Sequence, residues 1–170
     1  LRERNMEILY LTDQADQLLM EILREYKGKT LHSAVDGDLD LEDMPEEKPE
    51  ENYQESLNFI KESLGEAVDE VRVSRKLKTH PVCLTCGEGV SFEMERYFNA
   101  TQPEMGLKAK RILELNVEHP AFAALETARS ADPEKAKKYA QVLLNQAKLI
   151  AGLSLDDPSG YTDLLCSLWS

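Results

Sequence analysis

No apolar run in the 170 residues approaches the ~18 that a membrane-crossing helix needs, so no membrane span is expected. The N-terminus lacks the charged, then apolar layout of a secretory signal, and Leu1 in place of Met points to a chain that is part of a longer one. Together these lead to the expectation of a reducing, cytoplasmic compartment. Aromatic residues make up only 6%, which suits helices packed with Leu, Ile, Val and Ala. The eight glycines are scattered, and no GxGxxG, GxxxxGK[ST] or GxSxG occurs, so no phosphate cradle or nucleophile elbow is expected. A net charge of −12 excludes nucleic acid as a partner, because phosphates would be repelled rather than neutralised.

That charge is concentrated. Residues 36–55 hold ten acids against Lys48 alone, a local charge of −9 that leaves −3 for everything else. Self-repulsion together with Pro45 and Pro49 favours an extended connection, and the spacing does not match a calcium-binding loop. The chain therefore divides into residues 1–37, an acidic linker over 38–51, and a second folded unit over 52–170.

The first piece reads as strand, helix, strand. Met6–Leu11 is apolar without helical period, Thr12 can cap a helix, and Ala15, Leu18, Leu19, Ile22, Leu23 and Tyr26 share one face at the 3.6 period. Gly28 supplies a left-handed stop before a strand over Leu31–Val35. A lone βαβ unit of this size cannot bury both faces of its strands, so it reads as the remnant of an upstream domain.

The second piece predicts an α+β fold with a small three-stranded sheet and several helices. Tyr53, Leu57, Ile60 and Leu64 mark a helix ended by Gly65; strands are expected around Val71–Val73, Pro81–Thr85 and Arg111–Leu115, with their directions open. Three helix starts carry proline at the first helical position, at His119-Pro120, Asp132-Pro133 and Asp157-Pro158, where the missing N–H costs nothing. They predict helices of about ten, nineteen and twelve residues.

Catalysis finds little support. Cys83 and Cys86 form a CxxC without the second pair a zinc site needs, and Cys166, His32, His80 and His119 show no ligand spacing. A redox CxxC normally opens a helix, whereas this one ends an apolar strand, where the two side chains should face opposite ways. No nucleophile, base and oxyanion donor assemble. No enzymatic activity, metal or cofactor is expected of these residues.

Apolar helical faces carry more information. Ala136, Ala140, Leu143, Ala147 and Ile150 recur at spacings of four and three, and Leu144 widens the stripe. Tyr161, Leu164, Leu165, Leu168 and Trp169 form a second face on the last helix. The two helices are closely joined and should form a hairpin. They could cover the chain's own sheet, but a broad apolar hairpin suits a four-helix bundle shared with a second copy in a two-fold homodimer. A further helix over 89–100 aligns Val90, Met94 and Phe98, with Tyr97 alongside, between flanking glycines. It reads either as ordinary core or as an adaptable apolar contact.

Five segments resemble one family. MEILYLTDQADQLLMEILREYKGKTLHSAV (6–35) is similar to the end of the middle domain of the ninety-kilodalton heat-shock chaperones. EVRVSRKL (70–77), SFEMERYFNA (91–100), ILELNVEHP (112–120) and LLNQAKLIAGLSLDDP (143–158) are similar to that family's C-terminal dimerisation domain. The chain ends Leu168-Trp169-Ser170 without the acidic tail that recruits co-chaperones in eukaryotic cytosolic members, which favours the bacterial HtpG branch. The resemblance implies a dimer built from the last two helices through Leu143, Leu144, Ala147, Ile150, Leu164, Leu165 and Leu168. It also implies client contact through Val90, Met94, Tyr97 and Phe98, with ATP and magnesium handled in an N-terminal domain outside these residues. Partly unfolded proteins would be the partners. The rival readings are a purely structural oligomerisation module and, more remotely, a thiol-redox enzyme using Cys83 and Cys86.

Overall fold

The computed structural model describes residues 7–13, 16, 19–20, 22–23, 25–31 and 50–169. It separates into two units, Leu1–Ala34 and Val35–Ser170.

In the first unit, β1 (Glu25–Tyr26) and β2 (Lys29–Thr30) pair antiparallel. Lys27 and Gly28, at φ 50° and 76°, turn the chain between them. Two successive residues with positive φ match the strand twist of a tight hairpin, so Gly28 reverses the chain instead of releasing it into a parallel strand. The βαβ expectation is corrected to that extent. No strand occurs over residues 7–11, while Met6 and residues 32–35 lie outside the described residues. Residues 16, 19, 20 and 22 are helical as expected, although Ala15 and Leu18 fall outside the description. The carboxylate of Asp16 accepts from the Thr12 and Asp13 backbone N–H groups at 3.2 and 3.1 Å, tying down the start of this helix. Most of the acidic linker, residues 38–49, also lies outside the described residues.

The second unit opens with a 3-10 turn (Glu50–Tyr53) leading into α1 (Gln54–Leu64). Leu57, Ile60 and Leu64 are buried on one face, and the edge of the Tyr53 ring meets Phe122. Gly65, at φ 56°, ends the helix as the sequence predicts. The three expected strands form: β3 (Glu70–Val73), β4 (Val82–Cys86) and β5 (Arg111–Leu115), in the order β3-β5-β4. The sheet is mixed, with β3 parallel and β4 antiparallel to the central β5. As the central strand between two neighbours, β5 is buried from Ile112 to Leu115.

Between β4 and β5 runs α2 (Phe92–Thr101), which starts three residues later than the sequence suggests. Ser91 caps it, its hydroxyl accepting from Met94 N–H at 3.1 Å. The three proline-led helices are α3 (Pro120–Ala131), α4 (Pro133–Ile150) and α5 (Pro158–Ser167). Each start carries the side-chain cap its sequence calls for. His119 Nδ1 accepts from Ala121, Asp132 from Lys135, and Asp157 from Gly160. The long helix α4 packs on β4, α1 and α3. Its alanines Ala136, Ala140 and Ala147 are fully buried, and their small side chains let the helix approach its neighbours closely.

Candidate functional site

One face of the sheet packs into the core and the other is polar. Arg72, Glu114 and Cys83 lie directly opposite one another across β3, β5 and β4. Glu114 is only 1% exposed, yet its carboxylate is fully engaged. Arg72 donates from Nη2 at 2.8 Å and Nε at 3.3 Å, Ser74 Oγ at 2.9 Å and Thr85 Oγ1 at 3.3 Å, with Lys76 Nζ 3.8 Å away. A buried carboxylate is tolerable only with such partners. Two residues on, Asn116 donates to the carbonyls of Lys78 and His80 and accepts from Glu118 N–H. The sequence motif ELNxxHP is thus a set of structural tasks. Glu114 joins the strands, Leu115 fills the core, Asn116 holds the loop after β3, and His119-Pro120 starts α3.

The CxxC divides as its strand position requires. Cys83 lies on the polar face, its Sγ 3.7 Å from Glu114 Oε2, while Cys86 is buried in the apolar core. Burial, and then the adjacent Glu114 carboxylate, push the Cys83 thiol up from 9.0 to about 12. A thiol so protonated at neutral pH is a poor nucleophile and metal ligand, which removes the main physical support for the redox reading. Among the described residues no group of three or more His, Cys, Asp or Glu side chains could hold a metal ion, and no helix is long and apolar enough to cross a membrane.

The helix singled out for apolar contact stands partly clear of the core. Tyr97 is 62% exposed and meets the edge of Phe98, their ring centroids 5.5 Å apart. Met94 and Phe98 are half-buried, and Val90, which precedes the helix, packs against the core margin. The helix is fastened by residues outside that stripe. Phe92 is buried in the core. Glu95 accepts from Ala109 N–H at 2.8 Å and from Arg111 Nη2 at 2.7 Å.

The residues expected to pair two copies fall into two groups. Leu143, Leu144 and Ala147 are buried in the chain's own core, because this face of α4 covers the sheet and α1. Ile150 and its neighbour Leu149 are 52% and 51% exposed. On α5 no residue is buried: Leu164, Leu165 and Leu168 are half-buried, and Trp169 beyond the helix is 83% exposed. The apolar surface left uncovered therefore sits at the end of α4 and along α5.

Comparison with known proteins places this geometry. The sequence profile of the Hsp90 protein family matches residues 1–169. The chain belongs to the Hsp90 family. Chaperone protein HtpG of Alkaliphilus metalliredigens is 40% identical over the whole chain, which covers 28% of that protein. The HtpG proteins of Oceanobacillus iheyensis and Clostridium perfringens are 40% and 38% identical, each over 98% of this chain and 27% of their own length. The chain thus spans little more than a quarter of these Hsp90-family relatives.

Within this Hsp90-family chain, reading the sequence missed Glu114, Phe92 and Glu95. A lone acid between Leu113 and Leu115 in a largely apolar strand, with arginine in a neighbouring strand, was the available signal for Glu114. For α2 the signal was an aromatic one helical turn before an acid, off the Val90–Met94–Phe98 stripe.

Proposed function

We propose that this chain is the end of the middle domain and the C-terminal dimerisation domain of an HtpG-type chaperone. In this reading it joins two copies and offers apolar contacts to partly unfolded client proteins. The observation that carries the pairing is the state of α5, an amphipathic helix with no buried residue beside the exposed Leu149 and Ile150. Such surface is normally covered, and a second copy presenting the same helices would close a four-helix bundle around a two-fold axis. Client contact is supported by the outward face of α2, where Met94, Tyr97 and Phe98 supply adaptable, non-directional apolar surface. ATP and magnesium chemistry would belong to the part of the relatives' length that this chain does not span. The protein would work in the cytoplasm, away from nucleic acid and membranes.

Sedimentation across a concentration series tests the pairing. Covering a half-exposed large apolar side chain contributes about 1 kcal/mol. Polar replacements at Ile150, Leu164 and Leu168, counted in both copies, should therefore weaken the dimer by roughly 10⁴-fold, since ~1.4 kcal/mol is tenfold. A wild-type chain that sediments as a monomer at every concentration would overturn the proposal. For client contact, Met94→Ser with Phe98→Ser should leave the dimer mass unchanged and weaken suppression of client aggregation.

A further inference from the structure

The segment around α2 is bracketed by two glycines that only a residue without Cβ occupies easily, Gly89 at φ 109° and Gly106 at φ 58°. Between them the helix is anchored mainly at its first turn. Phe92 enters the core, and one turn later, on the same side of the helix, Glu95 is clamped by Ala109 N–H and Arg111. Arg111 completes the clamp by donating to Ala109 O at 3.0 Å and lying over the Phe92 ring, 6.0 Å from its centroid. Past this point a longer bond, Arg96 Nη2 to Gly152 O at 3.3 Å, leads from the helix to the turn between α4 and α5. Residues 99–106 are exposed throughout.

An apolar plug such as Phe92 fixes where a helix sits but restrains its orientation weakly. A carboxylate gripped by two donors fixes direction as well, because charge-assisted hydrogen bonds are short and angular. We propose that Glu95 is the positioning residue of α2, a latch that sets the angle at which Met94, Tyr97 and Phe98 are presented. The proposal rests on the client-contact reading above. Releasing the latch lets the segment swing on Gly89 and Gly106 and disperses the apolar face.

Amide hydrogen exchange and client-aggregation assays on Glu95→Ala and Glu95→Gln test it, beside Met94→Ser with Phe98→Ser. For Glu95→Ala, exchange within residues 92–101 should rise roughly tenfold or more, the scale of one lost charge-assisted hydrogen bond. The amides of β4 and β5 and the sedimentation mass should not change. Glu95→Gln keeps an acceptor for Ala109 N–H and should fall between wild type and Ala. Aggregation suppression should weaken in the same order, by several-fold for Ala. Unchanged exchange in α2, or an equal rise across the whole domain, overturns the latch. So does a local rise with wild-type suppression while Met94→Ser with Phe98→Ser abolishes it. Where that double variant itself changes nothing, the client-contact reading falls, and the exchange pattern alone decides whether Glu95 holds the helix.

Discussion

Replacing Arg72 by Met keeps the length of the side chain and removes the charge that faces Glu114 across the parallel pair β3–β5. The carboxylate would then remain buried with the hydroxyls of Ser74 and Thr85, the Cys83 thiol and the more distant Lys76 ammonium as its partners among those described above. Breaking a buried ion pair from one side costs about 3–5 kcal/mol. Arg72 is itself only partly buried and Lys76 stays nearby, so the cost falls to the bottom of that range or below it, about 2–3 kcal/mol. For a chain of this size that is a fall in Tm of roughly 5–10 °C, at about 2–4 °C per kcal/mol. Neutralising the stranded acid should recover part of the loss. Arg72→Met with Glu114→Gln is expected to melt above Arg72→Met alone, although each single variant melts below wild type. Urea and thermal unfolding followed by far-ultraviolet circular dichroism, at one fixed protein concentration so that assembly does not intrude, give the full double-mutant cycle. An Arg72→Met loss below about 0.5 kcal/mol, the range of ordinary surface changes, would refute the view that this pair holds the sheet together. Strictly additive losses in the cycle would refute the pairing itself.

The cysteines should separate by reactivity in timed alkylation of the folded chain at neutral pH, exposed Cys166 first, Cys83 slowly and buried Cys86 only on unfolding. Because the folded Cys83 pKa of about 12 lies above the ordinary 9.0, its contribution to stability is complete below pH 9.0 and is lost as pH rises towards 12, with a steepest slope of about 1.4 kcal/mol per pH unit. Cys83→Ala should flatten that alkaline limb relative to wild type in pH-dependent urea melts, and equal slopes would show that the thiol ionises freely. Leu143→Ala should cost about 2–5 kcal/mol of folding stability as a core truncation, whatever the assembly state; a stable monomer would instead place Leu143 in the pairing surface. Gly160→Ala would drive a Cβ into the capping carboxylate of Asp157 and should destabilise α5 by about 1 kcal/mol, read as lost helicity near the C-terminus.

Local chemistry was legible where one residue type has one physical use. Proline behind His119, Asp132 and Asp157 marked three helix starts correctly, because a residue without an N–H fits the first turn and little else of a helix. Gly65 was legible for a similar reason, and so was the opposed facing of Cys83 and Cys86, which follows from the two-residue period of a strand. Strand direction was not legible: β3 and β4 have similar alternation, and only the connections decide that one runs parallel and the other antiparallel to β5. The hairpin at Lys27-Gly28 was missed because a left-handed glycine ends helices and turns hairpins equally well. What distinguishes them is the conformation of Lys27, a residue with no intrinsic preference for positive φ.

The apolar stripe of α4 shows where periodicity stops being informative. Ala136, Ala140, Leu143, Ala147 and Ile150 repeat without interruption, yet the first four are buried in their own unit and the last is half open. Hydrophobic period reports that a face leaves water; it does not report what covers it. The buried members of the stripe run from Ala136 to Ala147, and the exposed Leu149 and Ile150 come where α4 runs on towards α5. A surface that remains apolar after the core is complete must be covered by something else or tolerated at a cost in solubility. In this Hsp90-family chain the surface is continuous in sequence with α5, whose apolar side chains are at most half-buried. Periodicity therefore marks one continuous stripe on α4, and the part of it from Ala136 to Ala147 is taken up by the chain's own core. Polar replacements at Ile150, Leu164 and Leu168 test the proposed pairing with the core left intact, whereas those at Leu143, Leu144 and Ala147 disturb core packing as well.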